Sequence, residues 1–298
     1  MDVVIAGSHG LIGTALRRHL IDEGHRVRRL VRGEPRAVGE FRWDPDGGAI
    51  DRRALLGADI AVNLAGAGVG DHRWTTRYKK EILESRTHPT RTLAHALATA
   101  PDSPRTLIQA SAIGYYGDRG DEMLTESSSG GTGFLPDVVT RWEAATAEAA
   151  AAGVRVVHVR SGLVFSQSGG ALGRLLPLLR LGVGGHLGSG QQYWSWISLE
   201  DEVRAITYLM TASIAGPVNA TAPAPTRHGE VVAALAAALH RPAVLPVPAP
   251  ALRLALGEFS SEILGSQRVL PEALTESGFD FHHSDVTEVA EWVTASRA

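Results

Sequence analysis

The sequence contains no cysteine in its 298 residues. Without thiols, disulfide bonds, thiolate zinc sites, iron–sulfur clusters and cysteine-dependent catalysis are all excluded. The chain also lacks a run of about 18 apolar residues, the length that a membrane-spanning helix requires. The first residues, MDVVIAG, carry no basic segment before their short apolar run. We therefore expect no signal peptide and a cytoplasmic protein.

An excess of charge of one sign is also missing. Lysine and arginine number 29 against 32 aspartates and glutamates, which leaves a formal net charge of −3. Such a balance gives no field that would attract nucleic acid or an anionic membrane, so we expect a small-molecule substrate instead. The length suits one large α/β domain or one domain with a small appendage. The sequence does not decide whether the protein forms a homodimer.

Several catalytic and metal-binding patterns are absent as well. The chain has no nucleophile elbow of the form G-x-S-x-G, no phosphate-binding G-x-x-x-x-G-K-[ST] and no H-E-x-x-H. Its twelve histidines include one adjacent pair, His282 and His283, which we place in a loop. We expect no metal site.

Short β-branched segments alternate with helical patterns over the first half of the chain. Strands are predicted at 2–6, 27–31, 60–64, 106–110 and 154–159, and helices from 11 to 24, over 76–100 and over 135–152. This alternation is typical of a parallel sheet covered by helices on both faces. The predicted fold is α/β, a Rossmann-type doubly wound sheet with a small, mainly helical C-terminal subdomain.

The chain changes character after residue 161. Glycine-rich loops precede a predicted strand at 193–197 and a helix over 200–211, for which Ser198 is the expected N-cap. Prolines at 246, 248 and 250 predict an extended connector over 244–250. We divide the chain into a dinucleotide-binding core (1–165), crevice loops with the remaining core elements (166–242) and a C-terminal subdomain (243–298).

Three glycines stand between the first strand and the first helix. Gly7, Gly10 and Gly13 form G-x-x-G-x-x-G, a spacing that permits a tight turn, close approach of a pyrophosphate and close packing of the helix on the strand. The N-terminus of that helix would present backbone N–H groups to the anion. We predict a dinucleotide site that includes this turn with Ser8, Leu11 and Ile12.

The end of the second strand selects the dinucleotide. NAD sites usually carry an acidic residue there, which binds the ribose 2′-hydroxyl. Here Val31 is followed by Arg32, a cation that suits a 2′-phosphate, with Arg29 or Arg36 as helpers. NADP(H) is therefore the predicted cofactor.

Two further segments are expected at the cofactor. The small residues that follow strand 60–64, with Leu64, Ala65 and Gly66, would let the adenosine ribose and diphosphate lie against the backbone. The helix over 76–100 would begin near the same crevice. Its Glu81 would accept hydrogen bonds from hydroxyls and its Arg86 would face anionic oxygens, unless both simply belong to a charged helix face.

The glycine turn, Asn63-Leu-Ala-Gly66 and Ser111-Ala-Ile-Gly-Tyr-Tyr-Gly117 together resemble an atypical extended short-chain dehydrogenase/reductase. The chain is most similar to the sugar-nucleotide epimerase-like branch of the NAD(P)-dependent epimerase/dehydratases. Further matches, spread over nearly the whole chain, are Arg73-Trp74-Thr75, Trp142-Glu143, Arg160-Ser161-Gly162, Gly188-Ser189-Gly190-Gln191, Trp196-Ile197, Asn219-Ala220 and Gln267-Arg268-Val269.

The resemblance implies a catalytic serine at Ser111, which in this superfamily works with a Tyr-x-x-x-Lys pair. That pair is missing, because its positions read Leu135 and Val139, no tyrosine lies between Tyr116 and Tyr193, and no lysine follows Lys80. We therefore predict Tyr116 as the proton-transfer residue, with Tyr115 as the alternative. The backbone of Leu163 is predicted to contact the nicotinamide amide.

Two functions follow from these observations. The first is an NADP(H)-dependent oxidoreductase or epimerase-like enzyme acting on a small polar carbonyl or nucleotide-sugar-like substrate. The second is an NADP(H)-binding regulatory or redox-sensing protein without turnover, which the residues Leu135 and Val139 would explain. Fold alone does not decide between them.

Overall fold

The computed structural model describes residues 1–167 and 169–295. Its strands are β1 (Asp2–Ala6), β2 (Arg26–Val31), β3 (Glu40–Asp44), β4 (Ala49–Ile50), β5 (Ile60–Asn63), β6 (Thr106–Ala112), β7 (Met123–Leu124), β8 (Arg155–Ser161), β9 (Leu163–Ser166), β10 (Gly169–Gly170), β11 (Tyr193–Trp194), β12 (Trp196–Ser198), β13 (Gly216–Ala220), β14 (Thr226–Arg227) and β15 (Arg268–Val269). Its helices are α1 (Leu11–Asp22), α2 (Thr76–Thr99), α3 (Phe134–Ala144), α4 (Ala147–Ala151), α5 (Leu175–Arg180), α6 (Leu199–Thr211), α7 (His228–Ala238), α8 (Ala249–Leu256), α9 (Ser260–Leu264), α10 (Glu272–Glu276) and α11 (Val286–Thr294).

The main sheet has the strand order β13-β8-β6-β5-β1-β2-β3-β4. Every neighbouring pair in it is parallel except β3 with β4. The strand order reverses beside β1, because the chain runs outward from β1 to β4 and then returns to form β5 on the other side of β1. Ligands bind at such a reversal in doubly wound sheets. The predicted Rossmann-type fold is confirmed.

Helices cover both faces of this sheet. Residues of β1 alternate between two apolar cores, with Val3 and Ile5 on one face and Val4 and Ala6 on the other. The first core is completed by α1 and α6, and the second by α2 and α4. This double burial explains the uninterrupted apolar run in the sequence of β1.

Two predicted elements differ from the observed ones. The helix predicted over 135–152 is interrupted between α3 and α4, where the Thr146 hydroxyl donates to the carbonyl of Glu143 (2.8 Å) and also bonds His158 Nε2 (3.0 Å). A threonine side chain that bonds the preceding turn competes with continued helix. The extended connector predicted over 244–250 ends earlier, because α8 begins at Ala249 and tolerates Pro250 in its first turn.

A third apolar core lies in the second half of the chain. Helices α5, α7 and α11 pack around Trp194 and Trp196 there. The core thus combines residues from both sides of the predicted boundary at 242, and the division into three segments stays a prediction. Ser168 and residues 296–298, which the predicted segments include, lie outside the described residues. No helix in the described part of the chain is long and apolar enough to cross a membrane.

The C-terminal segment is tied to the core through Asp201. Ser198 caps α6 as predicted, since its hydroxyl accepts a hydrogen bond from the Asp201 N–H (3.0 Å). The Asp201 carboxylate is fully buried and accepts from the backbone N–H groups of His282 and His283, both at 2.9 Å. The histidine pair therefore contributes backbone donors that hold the segment before α11 against α6.

Replacement of Asp201 by asparagine tests this anchor. The amide NH₂ of Asp201→Asn would face a backbone N–H that now has an acceptor, so we expect the free energy of unfolding to fall by about 1–3 kcal/mol in urea denaturation. Glu276→Gln, at an exposed position of α10 whose side chain forms no hydrogen bond with a described residue, is the control, with an expected change within about 0.5 kcal/mol. Equal effects of the two substitutions would contradict the anchoring role.

Candidate nucleotide-binding site

The turn between β1 and α1 places its glycines against the end of β5. Gly7 has a φ of +80°, and a Cβ there would lie 2.5 Å from the carbonyl carbon of Leu64. A Cβ at Gly13 would overlap the carbonyl oxygen of Gly7. Gly10 forms the N-cap of α1 and has space around it. The turn therefore requires glycine at positions 7 and 13, and position 10 opens toward the cleft.

A cleft of about 770 Å³ opens at this turn. Its volume lies within the range of small-molecule and cofactor sites, roughly 300–1,000 Å³. The walls come from the glycine turn, the end of β2, strand β3, the loop after β5 and the first turns of α2. The lining residues are Gly7, His9, Gly10, Leu30, Val31, Arg32, Gly33, Trp43, Asp46, Ala65, Gly66, Ala67, Arg77, Lys80, Glu81, Glu84 and Ser85.

Seven of the residues predicted to bind cofactor line this cleft: Gly7, Gly10, Val31, Arg32, Ala65, Gly66 and Glu81. Four others stand directly behind it, with Leu11, Ile12 and Gly13 in the first turn of α1 and Leu64 against Gly7. Ser8 is buried in the turn itself, and its hydroxyl has no hydrogen-bond partner among the described residues. An unpaired buried hydroxyl beside a helix N-terminus fits an anionic ligand.

The arginines at the end of β2 differ in their surroundings. Arg32 is exposed at the rim of the cleft and forms no ion pair with any described residue. Arg29 instead pairs with Glu40 at 2.8 Å, and Arg36 is not among the lining residues. The geometry thus leaves Arg32 free to pair with a ligand and gives Arg29 a structural partner.

Arg86 lies beside Gly66 on the buried side of the cleft. Its guanidinium group stacks over Trp142, 5.1 Å from the ring centroid, and donates to the carbonyl of Ile82 (3.0 Å). It has no carboxylate partner among the described residues, and burial lowers the pKa of Arg86 to about 10. A largely buried cation without an anion is costly unless a ligand supplies the charge.

Ser111, the second-last residue of β6, belongs to a buried polar network. Its hydroxyl donates to Glu143 Oε1 at 2.6 Å, and the same carboxylate receives two hydrogen bonds from the Arg160 guanidinium, at 2.8 and 2.9 Å. Although burial opposes ionisation of Glu143, the hydrogen bonds from Arg160 and Ser111 hold its pKa below the usual range. Glu143 is therefore a carboxylate that orients Ser111.

Tyr116 belongs to the far end of this network and is fully buried. Its hydroxyl accepts from Arg160 Nη1 (3.1 Å) and lies within donating distance of Asn219 Oδ1 (2.8 Å) and the carbonyl of Thr125 (3.0 Å). Burial raises the pKa of Tyr116. Because these bonds engage the hydroxyl away from the surface, the structure gives Tyr116 a packing role in this conformation, and its proton-transfer role stays a prediction.

Leu135 and Val139, which stand at the positions of the missing Tyr-x-x-x-Lys pair, lie close to the turn that follows β6. A Cβ at Gly114 would stand 3.4 Å from the Leu135 Cβ and 3.9 Å from a Val139 methyl group. Both side chains thus fill the space over the turn after β6 with apolar atoms. Tyr115 is half-buried next to them, and the Arg160 guanidinium lies 3.6 Å from the Tyr115 ring centroid.

The predicted backbone contact at Leu163 is partly engaged already. Leu163 begins β9, and its N–H donates to the carbonyl of Ser195 at 2.9 Å. A ligand amide would therefore have to approach another backbone group in this segment. The nicotinamide contact of Leu163 stays a prediction.

A second cavity, of about 240 Å³, lies between the residues that precede and begin α3 and the C-terminal segment around α9. Its lining includes the aromatic rings of Trp74 and Phe134 and the carboxyl groups of Asp118, Glu258 and Glu262, of which Glu258 is paired with Lys79. Burial, together with Asp118 and Glu258, raises the pKa of Glu262 to about 7. The cavity therefore combines an aromatic pair, with its rings at 71° to each other, and carboxyl groups.

Sequence reasoning missed the part of the cleft formed by β3. Trp43 and Asp46 line it, but no strand was predicted over 40–44. The alternation of Phe41 and Trp43 with charged residues is the period-two signal that would have indicated an edge strand. The signal is weak, because the strand is only five residues long and three of them, Glu40, Arg42 and Asp44, are charged.

The fold and the cleft agree with the comparison to known proteins. Residues 3–221 match the model of the NAD dependent epimerase/dehydratase family, and residues 247–293 match a domain of unknown function, DUF1731. The chain belongs to the NAD dependent epimerase/dehydratase family, as the sequence resemblance predicted.

Individual relatives resemble the chain over almost its whole length. An epimerase family protein of Mycobacterium bovis, Mb2239, is 45% identical over 98% of this chain and 97% of its own. A crystal structure of the human epimerase family protein SDR39U1 with NADPH superposes with a TM-score of 0.90 at 32% identity, covering 98% of this chain and 99% of that one. A nucleoside-diphosphate sugar epimerase structure from Corynebacterium glutamicum has a TM-score of 0.78 at 38% identity, covering 97% of this chain and 57% of that one.

One buried carboxyl group near the end of β8 gives a pH-dependent stability. Glu202 Oε1 accepts from the Ser161 hydroxyl at 2.6 Å, whereas Oε2 has no partner among the described residues. Burial raises the pKa of Glu202 from its ordinary 4.5 to about 7. Between these values the folded protein holds a proton that the unfolded chain releases, so stability falls as the pH rises through this window.

Glu202→Gln removes this contribution. We expect the variant's free energy of unfolding to decline less than that of the parent from pH 5 to pH 7, by up to roughly 1.4 kcal/mol per pH unit. Urea denaturation across that range measures it. The contribution of Glu262 remains in both proteins, and Glu276→Gln, at an exposed position of α10, is the matched control. Parallel pH profiles of Glu202→Gln and the parent would show that Glu202 is ionised in the folded state.

Proposed function

We propose that this chain binds NADP(H) in the cleft at the glycine turn and uses it as an oxidoreductase on a small carbonyl compound. The observation that carries the proposal is an open cleft at the strand-order reversal, rimmed by the unpaired Arg32. Anion-binding groups at this place in a doubly wound sheet are the physical requirement for a phosphorylated dinucleotide. The human relative crystallised with NADPH supports the same cofactor.

The chain's own residues fit the cofactor at three points. The backbone of the turn, with the unpaired Ser8 hydroxyl, would hold the pyrophosphate. Arg32 would pair with the 2′-phosphate, since a guanidinium group binds phosphate through parallel hydrogen bonds. Arg86, a buried cation beside Gly66, would supply positive charge on the other side of the cleft.

When bound, NADPH supplies a hydride from its nicotinamide ring. The chain's contribution to the reaction centres on Ser111, whose hydroxyl donates to Glu143 Oε1 and would turn from it to donate to the carbonyl oxygen of the substrate. The alkoxide that hydride addition leaves on that oxygen would take up its proton from solvent water. Arg160 holds Glu143 in its ionised form through two hydrogen bonds. Such a preorganised network keeps the Ser111 oxygen in one orientation.

The second cavity favours a small substrate over a nucleotide sugar. Its volume of about 240 Å³ is below the roughly 300–1,000 Å³ of sites for larger ligands. A diphosphate group would also meet the carboxylate of Asp118 and the partly ionised Glu262, whose repulsion would oppose binding, whereas Glu258 is neutralised by its ion pair with Lys79. A small neutral carbonyl compound fits the aromatic wall of Trp74 and Phe134 without that repulsion.

The second candidate is an NADP(H)-binding regulatory or redox-sensing protein without turnover. It is favoured by one observation: Tyr116, the predicted proton-transfer residue, is fully buried with its hydroxyl engaged. Leu135 and Val139 supply no proton donor in its place. Turnover therefore separates the two candidates, whereas cofactor binding does not.

Arg32→Ala tests cofactor selection. Because the variant loses the guanidinium–phosphate pair, we expect its NADPH affinity to fall about 10- to 100-fold while its NADH affinity changes by less than about twofold. Isothermal titration calorimetry measures both. Arg36→Ala, which removes a nearby exposed cation outside the cleft lining, is the control. Equal affinities of the parent protein for NADPH and NADH would refute the role of Arg32.

Ser111→Ala tests the proposed reaction. Against small aldehydes and ketones, with NADPH oxidation followed by absorbance, we expect kcat to fall roughly 100-fold with little change in cofactor affinity. Tyr116→Phe run in parallel decides whether that hydroxyl transfers a proton, since only a chemical role lowers kcat in a variant of unchanged stability. If folded parent protein binds NADPH but oxidises it with none of the compounds, the sensor is the correct function.

A further inference from the structure

An exposed apolar face lies far along the chain from the nucleotide cleft. It consists of Leu178, Leu181, Val183, Val244 and Leu245, whose exposed fractions are 45, 75, 48, 70 and 52%. The first three residues end α5 or follow it, and the last two belong to the proline-rich connector. Large apolar residues concentrated in this way mark an interaction surface, unlike single exposed ones.

The two segments of this apolar face are joined by backbone contacts. Leu245 N–H donates to the carbonyl of Gly184 at 3.3 Å, and Val247 N–H donates to the carbonyl of His186 at 2.9 Å. A Cβ at Gly182 would lie 3.6 Å from the Pro242 ring. The loop after α5 and the connector therefore form one surface, and their exposed side chains stand on it together.

The charge of this surface is of one sign. Residues 149–199 and 231–257 contain no aspartate or glutamate at all, although the whole chain carries more acidic than basic residues. Arg180 directly precedes Leu181, and Arg241 lies three residues before Val244. Both arginines are exposed, as is His240. Neither arginine forms an ion pair with a described residue. The overall charge balance thus conceals a local positive surface.

We propose that the apolar face docks on an anionic lipid surface. Leu181 and Val244 expose 75 and 70% of their area, so they project from the molecule instead of lining a groove that a peptide would fill. Projecting aliphatic side chains enter the boundary between headgroups and acyl chains, and arginines beside them pair with lipid phosphates. The attachment is peripheral, because no described helix is able to span a bilayer.

A second copy of the chain suits this surface less well. Pairing the face with itself would bring Arg180 and Arg241 of both copies together, and neither segment offers a carboxylate to separate them. Like charges brought together in this way oppose association. The charge pattern instead calls for a partner that is both anionic and apolar, which a phosphatidylserine-containing bilayer provides.

Vesicle cosedimentation tests the proposal on the full-length protein. We expect binding to phosphatidylcholine vesicles that contain about 30 mol% phosphatidylserine, weak binding to phosphatidylcholine alone, and release at high salt. Leu181→Ser with Leu245→Ser, and separately Arg180→Glu with Arg241→Glu, should each weaken binding at least about tenfold. The matched controls are Leu56→Ser, an exposed leucine elsewhere, and Arg91→Glu, an exposed arginine on α2.

Four outcomes would overturn the proposal. The first two are no binding to the anionic vesicles at low salt, and equal losses of vesicle binding in the face variants and in the controls. The third is a dimer, detected by light scattering, that the double substitution Leu181→Ser with Leu245→Ser dissociates. The fourth is binding of poly-glutamate that the vesicles do not displace. The dimer would assign the face to self-association, and the poly-glutamate result would assign it to an acidic polypeptide. Unchanged NADPH binding in the face variants shows that they are folded.

Discussion

The backbone of Gly7 lies so near the end of β5 that any side chain at this position would overlap Leu64. This contact brings the ends of two neighbouring strands together at the place where the strand order reverses. It also directs α1 so that its N-terminus, capped by Gly10, faces the cleft. The wall formed by Ala65 and Gly66, the approach of Arg86 and the position of Arg32 at the rim all depend on this turn.

The sequence predicted the features that depend on local pattern. The glycine spacing, the alternation of strands with helices and the arginine after Val31 each arise from a few consecutive residues, and the structure brings them to one cleft. The parallel sheet was predictable because its central strands are buried on both faces and consist of apolar residues. Ser111 was found through resemblance, and its position at the end of β6 follows from the strand itself.

Features that depend on distant partners were not predictable. The engagement of Tyr116 requires Arg160 from β8 and Asn219 from β13, which lie 44 and 103 residues away. The pairing of Arg29 with Glu40 depends on β3, an edge strand with too few apolar positions to be recognised. The break after α3 depends on the hydrogen bond between Thr146 and His158, and the helical pattern of apolar residues gives no sign of that bond. In each case tertiary contacts override the local signal.

The polar network around Ser111 distinguishes this chain from the pattern that its superfamily uses for proton transfer. Glu143 and Arg160 hold the Ser111 hydroxyl in a hydrogen-bond network, and Leu135 and Val139, at the positions of the tyrosine and the lysine, make the adjoining surface apolar. The fold therefore has the cleft, and the reaction that we propose would depend on a different set of side chains. Function in such a fold is decided by the site and not by the sheet.

A crystal structure of this chain with NADPH tests the central claim most directly. The account predicts the pyrophosphate on the backbone of the Gly7–Gly13 turn, the 2′-phosphate within hydrogen-bond distance of Arg32, and the nicotinamide directed toward Ser111. Density for the nucleotide in another part of the molecule, or a 2′-phosphate that points away from Arg32, would contradict it.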